Sequence, residues 1–214
     1  MANTVTGLAV GALLLGAAAC TGGGDGGDEK DRKAVPCAHG TYAWSRVTRE
    51  QKLTGLADPI TLKKKTDSVS VPIKPVKGVG YKPHVTATGL GVRAADAIKA
   101  LGRHLGTEEP LADPSESKVP EETSNTFEAH TGDLKGSYYA WRSVALVEAD
   151  FTYTCSDHGP EPVKGHAVTW ETVGGGFLTC DDPVHEEDPS RPDAAMRTAA
   201  RENCPPGSRA AKSA

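Results

Sequence analysis

The chain has 214 residues and carries 24 Lys and Arg against 28 Asp and Glu, a formal charge of −4. That mild acidity argues against nucleic acid as a partner, because a nucleic-acid-binding domain presents a basic face. The length suits a single domain, and with aromatic residues at 5% and glycine frequent, a modest core with long loops is expected.

The longest apolar run comes first. Gly7 to Ala19 is wholly apolar or small and uncharged. It has the length of a signal h-region and falls short of the roughly 20 residues that a helical membrane span needs. Residues 1–19 therefore read as a signal peptide. Ala17-Ala18-Ala19-Cys20 resembles a bacterial lipobox, in which the cysteine thiol takes a diacylglycerol and becomes the new amino terminus. Ala17 stands where that motif usually has Leu, Val or Ile, and Met1 to Thr6 contains no Lys or Arg. The same small residues also form an A-x-A site for ordinary signal peptidase, which would release a soluble secreted protein. Residues 20–35 follow as a lipidated cysteine and a Gly/Asp-rich tether. Thr21 to Lys33 has nothing to bury, and a flexible coil of that kind reaches roughly 20 Å.

A β-rich domain is expected over residues 36–205. Thr41 to Val47 alternates, with Tyr42 and Trp44 on one face, which is strand-like. Asp58 and Pro59 predict a turn before Ile60-Thr61-Leu62. Val69 to Val71 and Val79 to Thr88 read as further short strands, punctuated by Pro72, Pro75, Gly78 and Pro83. From Arg93 the period changes: Ala94, Ile98, Leu101 and Leu105 form one helical stripe that ends near Gly106, with Gly102 as a weak spot. Residues 107–125 are rich in Pro, Ser and acid and predict a mobile acidic loop.

The strongest strand signal is Tyr139 to Cys155. Tyr139, Trp141, Val147, Ala149, Phe151, Tyr153 and Cys155 share one parity, and Arg142, Glu148, Asp150, Thr152 and Thr154 share the other. Such a run is one half-buried strand, or two with a bulge. Val163 to Val173 alternates next, and Gly174-Gly175-Gly176 predicts a turn into Phe177 to Cys180, giving an antiparallel meander. Ala194 to Asn203 predicts a short helix opened by Pro192 and Asp193 and stopped by Pro205-Pro206-Gly207. Residues 206–214 read as a disordered tail. The fold class is thus α+β and β-rich, an antiparallel sheet or meander with two short helices.

Cysteine arithmetic adds staples. Setting Cys20 aside leaves Cys37, Cys155, Cys180 and Cys204, an even number in a chain that carries an export signal. Three connectivities are possible. Cys180–Cys204 is favoured because it ties the C-terminal helix to the strand before it, and Cys37–Cys155 would then tie the first strand to a central one. No C-x-x-C pair occurs, so no metal is expected at these cysteines.

Motifs for chemistry are sparse. Thr86 to Ala94 imitates a G-x-G-x-x-A fingerprint, but the following helix leads into the acidic loop where a Rossmann unit needs a parallel strand, so a tight turn is the better reading. Asp181, Asp182, His185, Glu186, Glu187 and Asp188 form an acidic loop without EF-hand order, read as solvated. The seven histidines are scattered, with His158 and His166 flanking one loop. No H-E-x-x-H or G-x-S-x-G is present. No catalytic residue, metal ligand or cofactor is assigned. Lys63, Lys64, Lys65, Lys74, Lys77 and Lys82 make one segment basic against the acidic 108–122 segment; the two face each other, meet anionic lipid or wall polymer, or stay solvated.

The lipobox-like end, the Gly-Asp tether and the Ala/Gly-rich composition resemble small lipoproteins of high-GC Gram-positive bacteria. That resemblance implies attachment to the outer face of the cytoplasmic membrane through lipid on Cys20, and no particular activity. The expectation is a non-catalytic binding or envelope-accessory module, its meander presenting Trp141, Phe151, Tyr153 and Trp170, with an envelope protein or polymer as partner. The alternative is an anchored or secreted hydrolase acting on envelope material, which requires His, Asp or Glu side chains converging in a deep pocket.

Overall fold

The structure, a computed structural model, describes residues 37, 40–87, 91–120, 125–157, 161–184 and 194–214. One strand organises them: β6, Gly136–Cys155. Side chains on a strand alternate between faces, and β6 uses both. Tyr139 and Trp141 enter one apolar cluster, and Val147 and Ala149 enter a second on the same face. Tyr138 and Ala140 enter a third on the opposite face, followed by Val144 and Leu146 in a fourth. The single buried face expected from parity holds only from Glu148 onward. Before it, both faces are covered.

The other strands are β1 (Gly40–Ala57), β2 (Ile60–Leu62), β3 (Ser68–Pro75), β4 (His84–Ala87), β5 (Asn125–His130) and β7 (Val163–Thr179). The sheet runs β4-β7-β6-β1-β3-β5, every pair antiparallel, with β2 also on β6. Leu56 of β1 lies opposite Trp141, and Ile60 of β2 lies opposite Tyr138. Asp58-Pro59, expected as a turn, therefore interrupts a strand line without reversing it. The long β6 run is one strand, and the bulges fall in its partners. Arg46 and Val47 face Ala149 between the pairs Ser45–Asp150 and Thr48–Glu148, with Arg46 at φ 49°. Glu171 and Thr172 face Ala145 in the same way.

Gly174-Gly175-Gly176 does not turn the chain; it lies inside β7, paired with Ser143, Arg142 and Trp141. The reason is steric. The Trp141 ring lies over Gly176, where a Cβ would sit 2.4 Å from a ring carbon. Glycine here makes room for a neighbour's side chain.

Among the described residues there are three helices, where two were expected. α1 (Ala94–Leu105) ends at Gly106 in the left-handed conformation, φ 64°, which glycine adopts without a Cβ penalty. It buries Ala97, Ile98, Ala100 and Leu101, and its Ile98 and Leu101 pack with Val147, Ala149 and Ala167. α2 (Ala194–Asn203) lays Ala195, Met196, Ala199 and Ala200 on Tyr139 and Trp141. Its last residue, Asn203, donates from Nδ2 to the Ala57 carbonyl at 2.6 Å. α3 (Arg209–Ser213) occupies the supposed disordered tail. Ser208 caps it by accepting from the Ala211 N–H, Ala210 is fully buried, and the Ala210 N–H donates to the Cys180 carbonyl at 3.1 Å. Tertiary contacts hold this turn and a half of helix, which local propensity alone would not.

Residues 107–120 also differ from the mobile loop expected. Leu111 is buried, the Ala112 N–H donates to the Trp170 carbonyl, and its carbonyl accepts from Thr169 Oγ1. Val119 exchanges two backbone hydrogen bonds with Tyr81, both 2.8 Å. The segment is a cover for Val144, Leu146 and Trp170. The remainder of that loop, 121–124, lies outside the described residues.

Two disulfides staple the domain. Cys37 bonds Cys155, tying the chain ahead of β1 to the end of β6, and Cys180 bonds Cys204, tying the end of β7 to the end of α2.

Candidate functional site

Two places on the sheet gather groups that could act on another molecule. The first is polar. Ser45, Asp150, His166 and Thr86 sit in one row across β1, β6, β7 and β4, so their side chains share a face. His166 Nδ1 lies 2.7 Å from Asp150 Oδ1. An ionised carboxylate only accepts, so Nδ1 carries the proton. Asp150 Oδ2 is paired with Nε of Arg46, the residue on which β1 bulges. The His166 hydrogen bond holds the Asp150 carboxyl below the usual carboxylate range; desolvation opposes it, and Arg46 adds to it. With Lys164 alongside, these residues line an open depression of about 500 Å³.

An aspartate orienting a histidine is part of the machinery of acyl-transfer triads. Here the pair stands on a flat sheet. Ladder amides lie in the plane of a sheet and point at neighbouring strands, so the described strands offer no converging N–H pair for an oxyanion on this face. What the geometry does is lock the β1 bulge to β6 and β7.

The second place is apolar. Tyr139 and Trp141 stack at 5.3 Å, and across the ladder Leu178 lies opposite Tyr139 and Gly176 opposite Trp141. Met196 of α2, Asp182 and Pro183 join them in lining a groove of about 540 Å³. Because Gly176 has no side chain, the Trp141 ring spreads into the groove floor. Leu178 on the rim is 43% exposed.

The aromatic residues expected to share a scaffold divide among these faces. Phe151 and Tyr153 pack with Tyr42 and Trp44 near α1, while Trp170 lies under the 107–120 segment. Burial, with Tyr153 and Asp96 nearby, pushes the Tyr42 hydroxyl up to about 12. Among the described histidines, His84, His104, His130 and His166 sit on β4, α1, β5 and β7 and do not converge. Of the basic segment, Lys65 pairs with Asp133 and Lys74 with Asp58. Gly91, at φ 100°, precedes α1, and β4 is an antiparallel edge strand, unlike the parallel strand a dinucleotide fold requires. The signal peptide, Cys20 and the tether lie outside the described residues, as do Gly89, His158 and His185 to Asp188.

The Asp150–His166 pair escaped the sequence reading because it depends on strand register. Only the pairing of β6 with β7 shows that these two residues, 16 apart in the chain, are directly opposite. Comparison with protein-family models, with curated proteins and with solved structures finds no match to this chain. Fold and site together define a disulfide-stapled antiparallel β domain with α1 and α2 on one face.

Proposed function

We propose that the chain is an extracytoplasmic lipoprotein, held to the outer face of the cytoplasmic membrane through lipid on Cys20, whose β domain is a non-catalytic binding module for an envelope protein or polymer. The observation that carries the binding reading is the open groove floored by Trp141 and rimmed by Leu178. Concave apolar sites with few polar groups suit recognition. The two disulfides suit an oxidising compartment, which supports export.

The anchor is tested by detergent phase partition of the natural protein. The wild-type chain partitions with detergent, and Cys20→Ser moves it to the aqueous phase; retention with detergent after that change refutes lipid attachment.

The Asp150–His166 pair favours one alternative, a hydrolase of envelope material. Incubation with insoluble wall polymer separates the two readings. A binding module co-sediments and releases no soluble fragment. Release of fragments that disappears in His166→Ala would establish the hydrolase.

A further inference from the structure

Sheet edges expose rows of unpaired N–H and C=O groups that pair readily with another strand. Proteins usually blunt them with charge, proline, bulges or short length. This sheet blunts most of its edges. The outer side of β1, free of β3 before Gly55, carries the Arg46 bulge and the charged Arg49, Glu50 and Lys52. β5 is six residues long with Glu128 and His130, and β4 is four residues long.

β7 is different. β4 covers it only from Gly165 to Val168, and the Ala112 N–H meets the Trp170 carbonyl. Beyond that point, among the described residues, no strand lies on its outer side. The stretch Val173–Thr179 contains no charge, no proline and no bulge, and it is fully paired to β6 on its inner side. It also carries two large exposed apolar side chains, Val173 at 55% and Leu178 at 43%.

We propose that this edge is the seam of a homodimer, formed when Val173–Phe177 of two copies pair antiparallel and extend one sheet into the other. A second copy suits this edge because the stretch is self-complementary. Antiparallel pairing of a strand with itself is isologous, with the two-fold axis normal to the sheet. With the axis at Gly175, Val173 of each copy lies across from Phe177 of the other, on the same face. The Glu171–Thr172 bulge ends the regular ladder on one side, and the paired stretch Val173–Phe177 contains no charged residue, so no like charges meet within it. Gly174, Gly175 and Gly176 put no bulk at the centre. The seam shares Leu178 and the Gly175–Thr179 edge with the groove proposed above, so the two are read apart by their assays: sedimentation of the chain alone reports the seam, and co-sedimentation with wall polymer reports the binding function.

The test is sedimentation velocity on the full chain carrying Cys20→Ser, which removes the fifth thiol and any disulfide-linked dimer. Between micromolar and submillimolar concentration the chain is expected to pass from monomer to dimer. Val173→Lys opposes new charge to an apolar side chain across the seam and should raise the dimer dissociation constant roughly tenfold or more. Leu178→Lys, on the other face, should do the same. Val47→Lys, on the β1 edge, should leave it unchanged. All three positions are exposed, and an unaltered circular dichroism spectrum confirms that each variant folds. A chain that stays monomeric throughout overturns the proposal, and so does a dimer indifferent to both β7 substitutions.

Discussion

At the scale of single residues, the sequence is most informative where a side chain is missing or a charge is fixed. Gly176 illustrates the first. Its ideal Cβ would lie 2.4, 2.8 and 2.9 Å from three carbons of the Trp141 ring. That ring is 5% exposed and packed against α2, so making room for a Cβ means disturbing that packing. Gly176→Ala should therefore destabilise the domain by about 1–3 kcal/mol, the usual cost of overpacking. Urea unfolding measures the loss, and near-ultraviolet circular dichroism should show Trp141 displaced. Asp150 illustrates the second. Its carboxyl is depressed by His166 and then Arg46, so the charged form is favoured in the folded state. A depressed carboxyl stabilises the fold above the ordinary carboxylate range, and that contribution is lost as pH falls through the lowered value. Asp150→Asn should therefore unfold at lower urea than the wild type at neutral pH, with the two midpoints converging in acid. A gap that persists below the carboxylate range would mean that the pair acts through shape and not charge.

At the scale of elements, local pattern was enough for some and useless for others. α1 runs from Ala94 to Leu105 as its stripe and Gly106 predict, and α2 covers the expected Ala194–Asn203. Parity in β6 identified the longest strand. These features are written in neighbouring residues. Gly174-Gly175-Gly176 reads as a turn until one knows that Trp141 lies across from it. α3 has five residues and little intrinsic stability, and its contacts with Cys180, Val184 and Arg197 of α2 explain it. The Asp150–His166 pair requires a register that bulges at Arg46 and Glu171 help to fix. The 107–120 segment is the sharpest case. Its acid and proline content hides a few anchors, chiefly Leu111, which packs against Ile98, Leu101 and Val147. Leu111→Ala should cost about 2–5 kcal/mol, as for a buried leucine elsewhere. Limited proteolysis should then cut within 107–120 in the variant and not in the wild type. A variant as stable and resistant as the wild type would restore the loop reading.

At the scale of the whole molecule, the two disulfides act on separate loops. Cys37–Cys155 spans 118 residues and Cys180–Cys204 spans 24, and neither loop encloses the other. Loop-closure entropy alone favours the longer one, by about 1.4 kcal/mol in the chain-entropy account. Burial argues the other way. Cys180 and Cys204 are 1% and 5% exposed beside Tyr139, Trp141 and Ala210, whereas Cys37 and Cys155 are half-buried. Replacing the first pair by serine leaves two hydroxyls in an apolar cluster, at about 1–3 kcal/mol each where no partner is found. That exceeds the loop difference. Cys180→Ser with Cys204→Ser should therefore destabilise the domain more than Cys37→Ser with Cys155→Ser, despite closing the shorter loop. Alanine at positions 180 and 204 removes the hydroxyls and should narrow the gap. Urea unfolding of the three double variants decides the matter. If the Cys37 and Cys155 variant is the weakest of all, restriction of the unfolded chain governs stability here, and the packing of the α2 face onto Trp141 matters less than its burial suggests.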